Sequence, residues 1–129
     1  MNKRYLFDTN AAIARIANNA QIERILNDAN EVFIASISLG ELYYGAEKSS
    51  QVAHNLRQVG MFAAGRVVLV CDAQTARYYG RIHHQLRAKG RPIPQNDMWI
   101  AAIALQHDLT LLTRDAHFNE VDGLAVLGW

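Results

Sequence analysis

One cysteine, two prolines and no long apolar run limit what this 129-residue chain can be. A single thiol, Cys71, excludes an intramolecular disulfide, and its place at the end of the apolar run from Val67 to Val70 predicts a small buried hydrophobe in a reducing cytosol. The prolines are confined to Pro92 and Pro94, next to Gly90, where a helix must end. No segment approaches the ~18 apolar residues of a membrane span, and Asp8 interrupts any signal-like run behind Lys3 and Arg4. A soluble, cytoplasmic protein that does not engage a membrane is expected. Repeats, low-complexity tracts and linkers are also lacking, so a single domain over residues 1–129 is expected, with enough apolar residues (50%) to bury a core. Acids are missing between Asp72 and Asp97, the stretch that holds Arg77, Arg81, Arg87, Lys89 and Arg91. Because the whole chain carries a formal net charge of only +1, the remainder is net acidic and the molecule is electrically polarised.

What is present reads as alternating short strands and helices. Tyr5 to Phe7 is an apolar run ending at Asp8, followed by a helical pattern with Ile13, Ile16 and Ala17 on one face. A second short helix carries Ile22, Ile25 and Leu26, and Val32 to Ala35 is the next strand. Ser38 opens a helix with Leu39, Leu42, Tyr43 and Ala46 at helical spacing, and Val52, Leu56, Val59 and Ala63 mark another that stops at Gly65. Val67 to Val70 is the most β-branched run, and Asp72 can cap a long helix from Ala73 to about Lys89. Met98 to Leu105 is an uncharged, covered helix with Asn96 as its expected N-cap, and it leads through Gln106, His107 and Asp108 into the strand Leu109 to Thr113. Ala116 to Asn119 forms a helical turn, and Leu124 to Leu127 is a last strand. About five strands separated by helices imply a mainly parallel sheet with right-handed crossovers, hence a three-layer α/β/α sandwich.

In such a sheet, ligands gather beyond the carboxyl ends of the strands where the strand order reverses. Asp8 follows the first strand, Glu41 sits one turn into the helix after the second, Asp97 begins the helix before the fourth, and Asp115 follows the fourth. Each has a purely structural reading as well. Asp8 can make an Asx-type turn, Glu41 completes a capping box with Ser38, Asp97 can favour the helix dipole, and Asp115 can cap a short turn. Taken together they converge on one rim with no evident buried Lys or Arg. Two carboxylates ~5 Å apart repel by roughly 3 kcal/mol at an effective dielectric of about 20. A divalent cation is the simplest remedy, and an all-oxygen set favours Mg²⁺ or Mn²⁺ over zinc. His54, His83, His84, His107 and His117 show no zinc-like spacing, and metal ligation by a histidine is not expected. An acidic, ion-binding rim suits phosphoryl chemistry.

The basic helix supplies a possible second half. Arg77, Arg81 and His84 share a face at i, i+4, i+7 while Tyr79, Ile82 and Leu86 pack inward, and Arg87 and Arg91 extend the positive charge. These arginines are candidates for contacts to nucleic-acid phosphates, although a merely solvated face has the same pattern. Arg114 can contact either a phosphate or the acids of the rim.

At this point the residues resemble the PIN-domain endoribonucleases, specifically the VapC toxins of bacterial and archaeal toxin–antitoxin pairs. The matching pieces are YLFDTN with Asp8, SLGELYYGA with Glu41, IPQNDMWIAAIA with Asp97 and LLTRDAHF with Asp115, in family order across nearly the whole chain. The resemblance implies a PIN fold, Mg²⁺- or Mn²⁺-dependent cleavage of RNA phosphodiesters by in-line attack of a metal-activated water, homodimers, and inhibition by a VapB-like antitoxin. It makes Asp8, Asp97 and Asp115 the principal metal-site carboxylates, with Glu41 binding metal directly or through water. Asn10 and Thr113 match supporting polar positions, and Thr9 and Asn96 are turn or capping residues as readily as site residues. The implied substrate is transfer or ribosomal RNA. Many relatives carry a further acid near the fourth motif, where this chain has His117 and Phe118, so one tightly held ion is expected. Exposed apolar residues around Leu42 to Tyr44 and Val52 to Val59 serve either a dimer surface or the core. Two rivals are a catalytically silent PIN scaffold that binds RNA or protein, and a haloacid-dehalogenase-like phosphatase, whose chemistry wants a second Asp at the position of Asn10 and a phosphate lysine.

Overall fold

The computed structural model of the protein describes residues 3–129. Its strands are β1 (Arg4–Phe7), β2 (Glu31–Ala35), β3 (Val67–Leu69), β4 (Thr110–Leu112) and β5 (Val126–Leu127), and they form one sheet in the order β3-β2-β1-β4-β5. The expected sheet of about five strands is present, and every pairing is parallel. The helices are α1 (Thr9–Ile16), α2 (Ala20–Asn27), α3 (Ser36–Glu47), α4 (Val52–Ala63), α5 (Ala73–Lys89) and α6 (Gln95–Gln106), with a 3₁₀ turn at Ala116–Glu120 between β4 and β5.

From β1 the chain steps outward through β2 to β3, then returns to the other flank of β1 as β4. Right-handed crossovers that travel in opposite directions place their helices on opposite faces, which makes the α/β/α layering. The side chains follow suit. Leu6, Phe33 and Leu111 pack with Ile82, Leu86 and the apolar run of α6, whereas the alternate strand residues Phe7, Ile34 and Leu112 pack with Ile22, Leu42 and Phe62. On the first face, Ile100, Ala101, Ala102, Ile103 and Ala104 are fully buried. Burial of each isoleucine stabilises by roughly 2–3 kcal/mol, and the alanines let the helix lie close to the sheet. On the second face, Phe7 and Phe62 meet edge to face at 5.2 Å.

Parallel register sets the level of the rim. Phe7 pairs with both Ile34 and Leu112, so Asp8 and Thr113 leave the sheet side by side, and the Asp8 N–H donates to the Leu112 carbonyl at 3.1 Å. Asp108, with φ of 54°, turns the chain sharply from α6 into β4 and thereby brings the start of that helix to the same end as the finish of the strand. The left-handed Gly90, with φ of 67°, ends α5 as its spacing predicts.

Three local expectations are corrected. The N-cap of α6 is Pro94, not Asn96, because the helix already begins at Gln95 and Asn96 lies exposed in its first turn. The Ser38–Glu41 capping box does not form: β2 runs straight into α3 at Ser36, so Ser38 is inside the helix with its hydroxyl buried and unbonded. Cys71 is exposed rather than buried, since β3 is an edge strand that ends at Leu69 and leaves Val67, Val68 and Val70 exposed too.

Candidate metal and nucleic-acid site

Asp8, Thr9, Asn10, Glu41, Asp97, Asp115 and Phe118 line one cleft of about 180 Å³ beyond the carboxyl ends of β1 and β4, where the strand order reverses. The four acids singled out in the sequence are therefore neighbours. Asp8 is 4% exposed and accepts from the Ala11 N–H at 2.7 Å, so it caps α1 while lining the cleft. Glu41 reaches the cleft from α3, and its Oε1 accepts from the Thr9 hydroxyl at 2.8 Å. That bond replaces the local cap. Asp97 lies in the first turn of α6, where the free N–H groups and the helix dipole favour negative charge. Asp115 makes no side-chain cap to the 3₁₀ turn, although it occupies the position before it.

The electrostatics fit a crowd of like charges. Burial pushes the Asp8 carboxyl above its ordinary range, the Thr113 hydroxyl and the Ala11 N–H pull it back, and the charges of Asp97 and Asp115 push it up again. Asp97 is likewise raised, first by burial and further by Glu41 and Asp115, against the opposing influence of His117. Among the described residues, no Lys or Arg lines the cleft. Thr113 is buried, and its Oγ1 also accepts from the Asp115 N–H at 2.9 Å, so one hydroxyl ties the ends of the two strands together.

His117 was set aside in the sequence for want of zinc-like spacing, yet it stands at the rim. Its Nε2 lies 2.8 Å from Asp97 Oδ2 and its Nδ1 lies 2.9 Å from Asp115 Oδ1, both at hydrogen-bond distance. Asp97, Asp115 and His117 each offer a ligand atom within 4.8 Å of the others, a placement that the absence of zinc-like spacing did not foresee. Its place two residues after Asp115 was plain in the sequence, but the direction of its side chain was not. Phe118, 1% exposed, anchors the 3₁₀ turn in the core and so aims His117 back over the rim.

Other candidates lie elsewhere. Asn10 lines the cleft but is exposed, and Asn96 does not line it. Arg114 turns away: its Nε donates to the Trp129 carbonyl at 2.7 Å and its Nη2 to Gln21 at 3.1 Å. Arg77, Arg81, Arg87 and Arg91 are exposed and none lines the cleft. Arg87 shares a hollow with Met98, the neighbour of Asp97, whereas the start of α5 docks on Gln106 at the far end of α6. A larger groove of about 600 Å³ between α1, α3 and α4, lined by Ile13, Ile16, Leu42 and Val59, opens beside the cleft and shares Glu41 with it. Leu42 and Val59 are core residues, while Tyr43 and Tyr44 are exposed. Among the described residues, no helix is long and apolar enough to cross a membrane.

Comparison with known proteins agrees with this architecture. The PIN domain family matches residues 5–124. The tRNA(fMet)-specific endonuclease VapC of Shigella flexneri is 35% identical over 129 residues, 98% of each chain. Ribonuclease VapC2 of Haemophilus influenzae is 31% identical over 98% of each. DNA-bound VapBC from Salmonella typhimurium contains a chain that matches with a TM-score of 0.89 at 35% identity, over 100% of this chain and 99% of that one. VapBC2 from Rickettsia felis, bound to a promoter DNA fragment, gives 0.91 at 28% identity over 98% of each. With acids from four segments meeting at the strand-order reversal of such a sheet, the chain belongs to the PIN-domain family, among the VapC ribonucleases.

Proposed function

We propose that this protein is the ribonuclease toxin of a toxin–antitoxin pair and cuts RNA phosphodiesters at the cleft of Asp8, Glu41, Asp97 and Asp115, using Mg²⁺ or Mn²⁺. The observation that carries the reading is the burial of mutually repelling carboxylates, with Asp8 and Asp97 raised and no Lys or Arg lining the cleft. The donors present suit a hard divalent cation, which Asp8, Asp97, Asp115 and Glu41 would hold. When bound, such an ion acidifies a water nucleophile and offsets the charge that builds on the scissile phosphate.

The chain's own groups prepare the site. Thr9 fixes the rotamer of Glu41, whose carboxylate is placed to orient the attacking water and accept its proton. Thr113 and the Ala11 N–H hold Asp8, so its carboxylate is oriented before any ligand arrives. Arg87 and Arg91, at the end of α5 nearer Asp97, hold flanking RNA phosphates, with Arg77 and Arg81 farther along the same helix. A phosphatase of the haloacid-dehalogenase type is disfavoured by Asn10 and by the lack of lysine in the cleft lining.

The partner is a VapB-like antitoxin, the working form is a homodimer, and the compartment is the cytoplasm. Transfer RNA is the first substrate to try, following the specificity in the name of the Shigella relative, with ribosomal RNA second. Purified protein freed of antitoxin should be incubated with total RNA and Mg²⁺ or Mn²⁺, and new 5′ ends mapped beside an Asp97→Asn control. The expected result is discrete ends from the wild type alone, abolished by EDTA. No new ends from a folded, metal-binding wild type would leave a catalytically silent scaffold instead.

A further inference from the structure

His117 stands between Asp97 and Asp115, and the three offer ligand atoms within 4.8 Å of one another. Its ring is half-buried, tilted against Phe118 with centroids 4.9 Å apart, and both of its nitrogens contact carboxylate oxygens, at 2.8 and 2.9 Å. Neighbouring ligands of an octahedral ion with bonds of about 2.1 Å lie roughly 3.0 Å apart, so a nitrogen at this distance from a carboxylate oxygen is already spaced as one edge of a coordination shell. An imidazole that binds a metal through one nitrogen commonly donates the other N–H to a carboxylate, which fixes its tautomer and ring direction. His117 has a carboxylate on each side for this arrangement.

The geometry points to His117 as a nitrogen ligand of the metal site, with Nδ1 sharing the ion with Asp115 and Nε2 hydrogen-bonded to Asp97, so that the site prefers Mn²⁺ and later transition ions to Mg²⁺. The inference rests on the proposal that the acids hold a divalent cation. Its chemistry is a shift from an all-oxygen to a mixed donor set: Mg²⁺ suits carboxylates and waters, whereas imidazole gains affinity along the transition series. Asp115 is the carboxylate placed to share the ion with the ring, since Nε2 is engaged by Asp97 in a hydrogen bond of 2.8 Å while Nδ1 lies 2.9 Å from Asp115 without being aligned for one.

The test is spectroscopic and thermodynamic. Pulsed electron paramagnetic resonance on the Mn²⁺-loaded protein should show an imidazole ¹⁴N coupling that disappears in His117→Asp. Titration calorimetry should show the ratio of Mn²⁺ to Mg²⁺ affinity falling about tenfold in His117→Asp, the size typical of a disturbed metal shell. Circular dichroism and a thermal melt of the apo variant check that it folds. Bound Mn²⁺ without ¹⁴N coupling, and with an unchanged affinity ratio in His117→Asp, would overturn the inference and leave the metal-dependent nuclease intact. Failure of the wild type to bind any Mn²⁺ would overturn both.

Discussion

Asp8 shows how one carboxylate serves stability and chemistry at once. Its structural and functional readings were alternatives in the sequence, yet in the fold they coincide: the side chain caps α1 through the Ala11 N–H and also lines the acidic cleft. The two roles carry opposite energies. The cap contributes on the order of 1 kcal/mol, while burial beside Asp97 and Asp115 disfavours the charge and raises the carboxyl above its reference value of 3.8. Because the native state holds this proton after the unfolded chain has released it, the associated stability is complete below about pH 3.8 and is lost as pH rises through the elevated native value. Asp97 is raised as well and adds a contribution of the same sign. Asn in place of Asp8 keeps the capping oxygen and never ionises. Without metal, Asp8→Asn should therefore melt with the wild type in acid and about 3–5 °C above it at neutral pH, a difference of about 1 kcal/mol. Melts in EDTA from pH 4 to pH 8 check this, and equal melting temperatures throughout would contradict it. Added Mn²⁺ should reverse the order, since the wild type retains the stronger ion-binding set.

Helix starts explain where the local reading succeeded and failed. At α5 the signal was self-contained: the Asp72 carboxylate accepts from the Thr75 N–H and the Thr75 hydroxyl accepts from the Asp72 N–H, both at 3.0 Å, completing a capping box. The expected helix from Ala73 to Lys89 and the structure agree to the residue. At α3 the same kind of pattern misled, because Ser38 and Glu41 have capping-box spacing but β2 passes directly into the helix two residues before Ser38. Glu41 is thereby released to accept from Thr9 on a different helix, a contact set by packing between α1 and α3. The two accounts of Ser38 differ in sign. A capping serine changed to Ala costs about 1 kcal/mol, whereas removing a buried hydroxyl with no partner is neutral or stabilises by up to about 1 kcal/mol. Urea denaturation of Ser38→Ala should show no loss of stability, and a loss of 1 kcal/mol or more would restore the capping box.

At the scale of the whole molecule, charge is separated: four acids gather at one rim, and the acid-free stretch from Ala73 to Asn96 places its arginines on the exposed side of α5 and the loop after it. If Arg87 and Arg91 hold RNA phosphates near Asp97, the double variant Arg87→Ala/Arg91→Ala should weaken binding of RNA by an Asp97→Asn background protein and reduce the slope of log affinity against log salt by roughly 1.5. Arg77→Ala, at the end of α5 that docks far from Asp97, should change the slope less. Filter binding across a salt series measures both, and equal slopes would mean that α5 is only a solvated face. The family, the α/β/α layering and the four acids were legible in the chain itself, because each depends on short-range facts: β-branched runs, helical spacing, and an acid at the end of a strand or the start of a helix. Cys71 and His117 were not, since the burial of the first depends on β3 lying at an edge and the direction of the second on Phe118 entering the core. Sequence alone thus determined the order and kind of the elements and which of their ends carry a carboxylate, though not every boundary. Only the tertiary structure decided that the imidazole beside Asp115 also meets Asp97 and that Glu41 pairs with Thr9, for each of these two contacts joins elements brought together by packing on one face of the sheet and not by position along the chain.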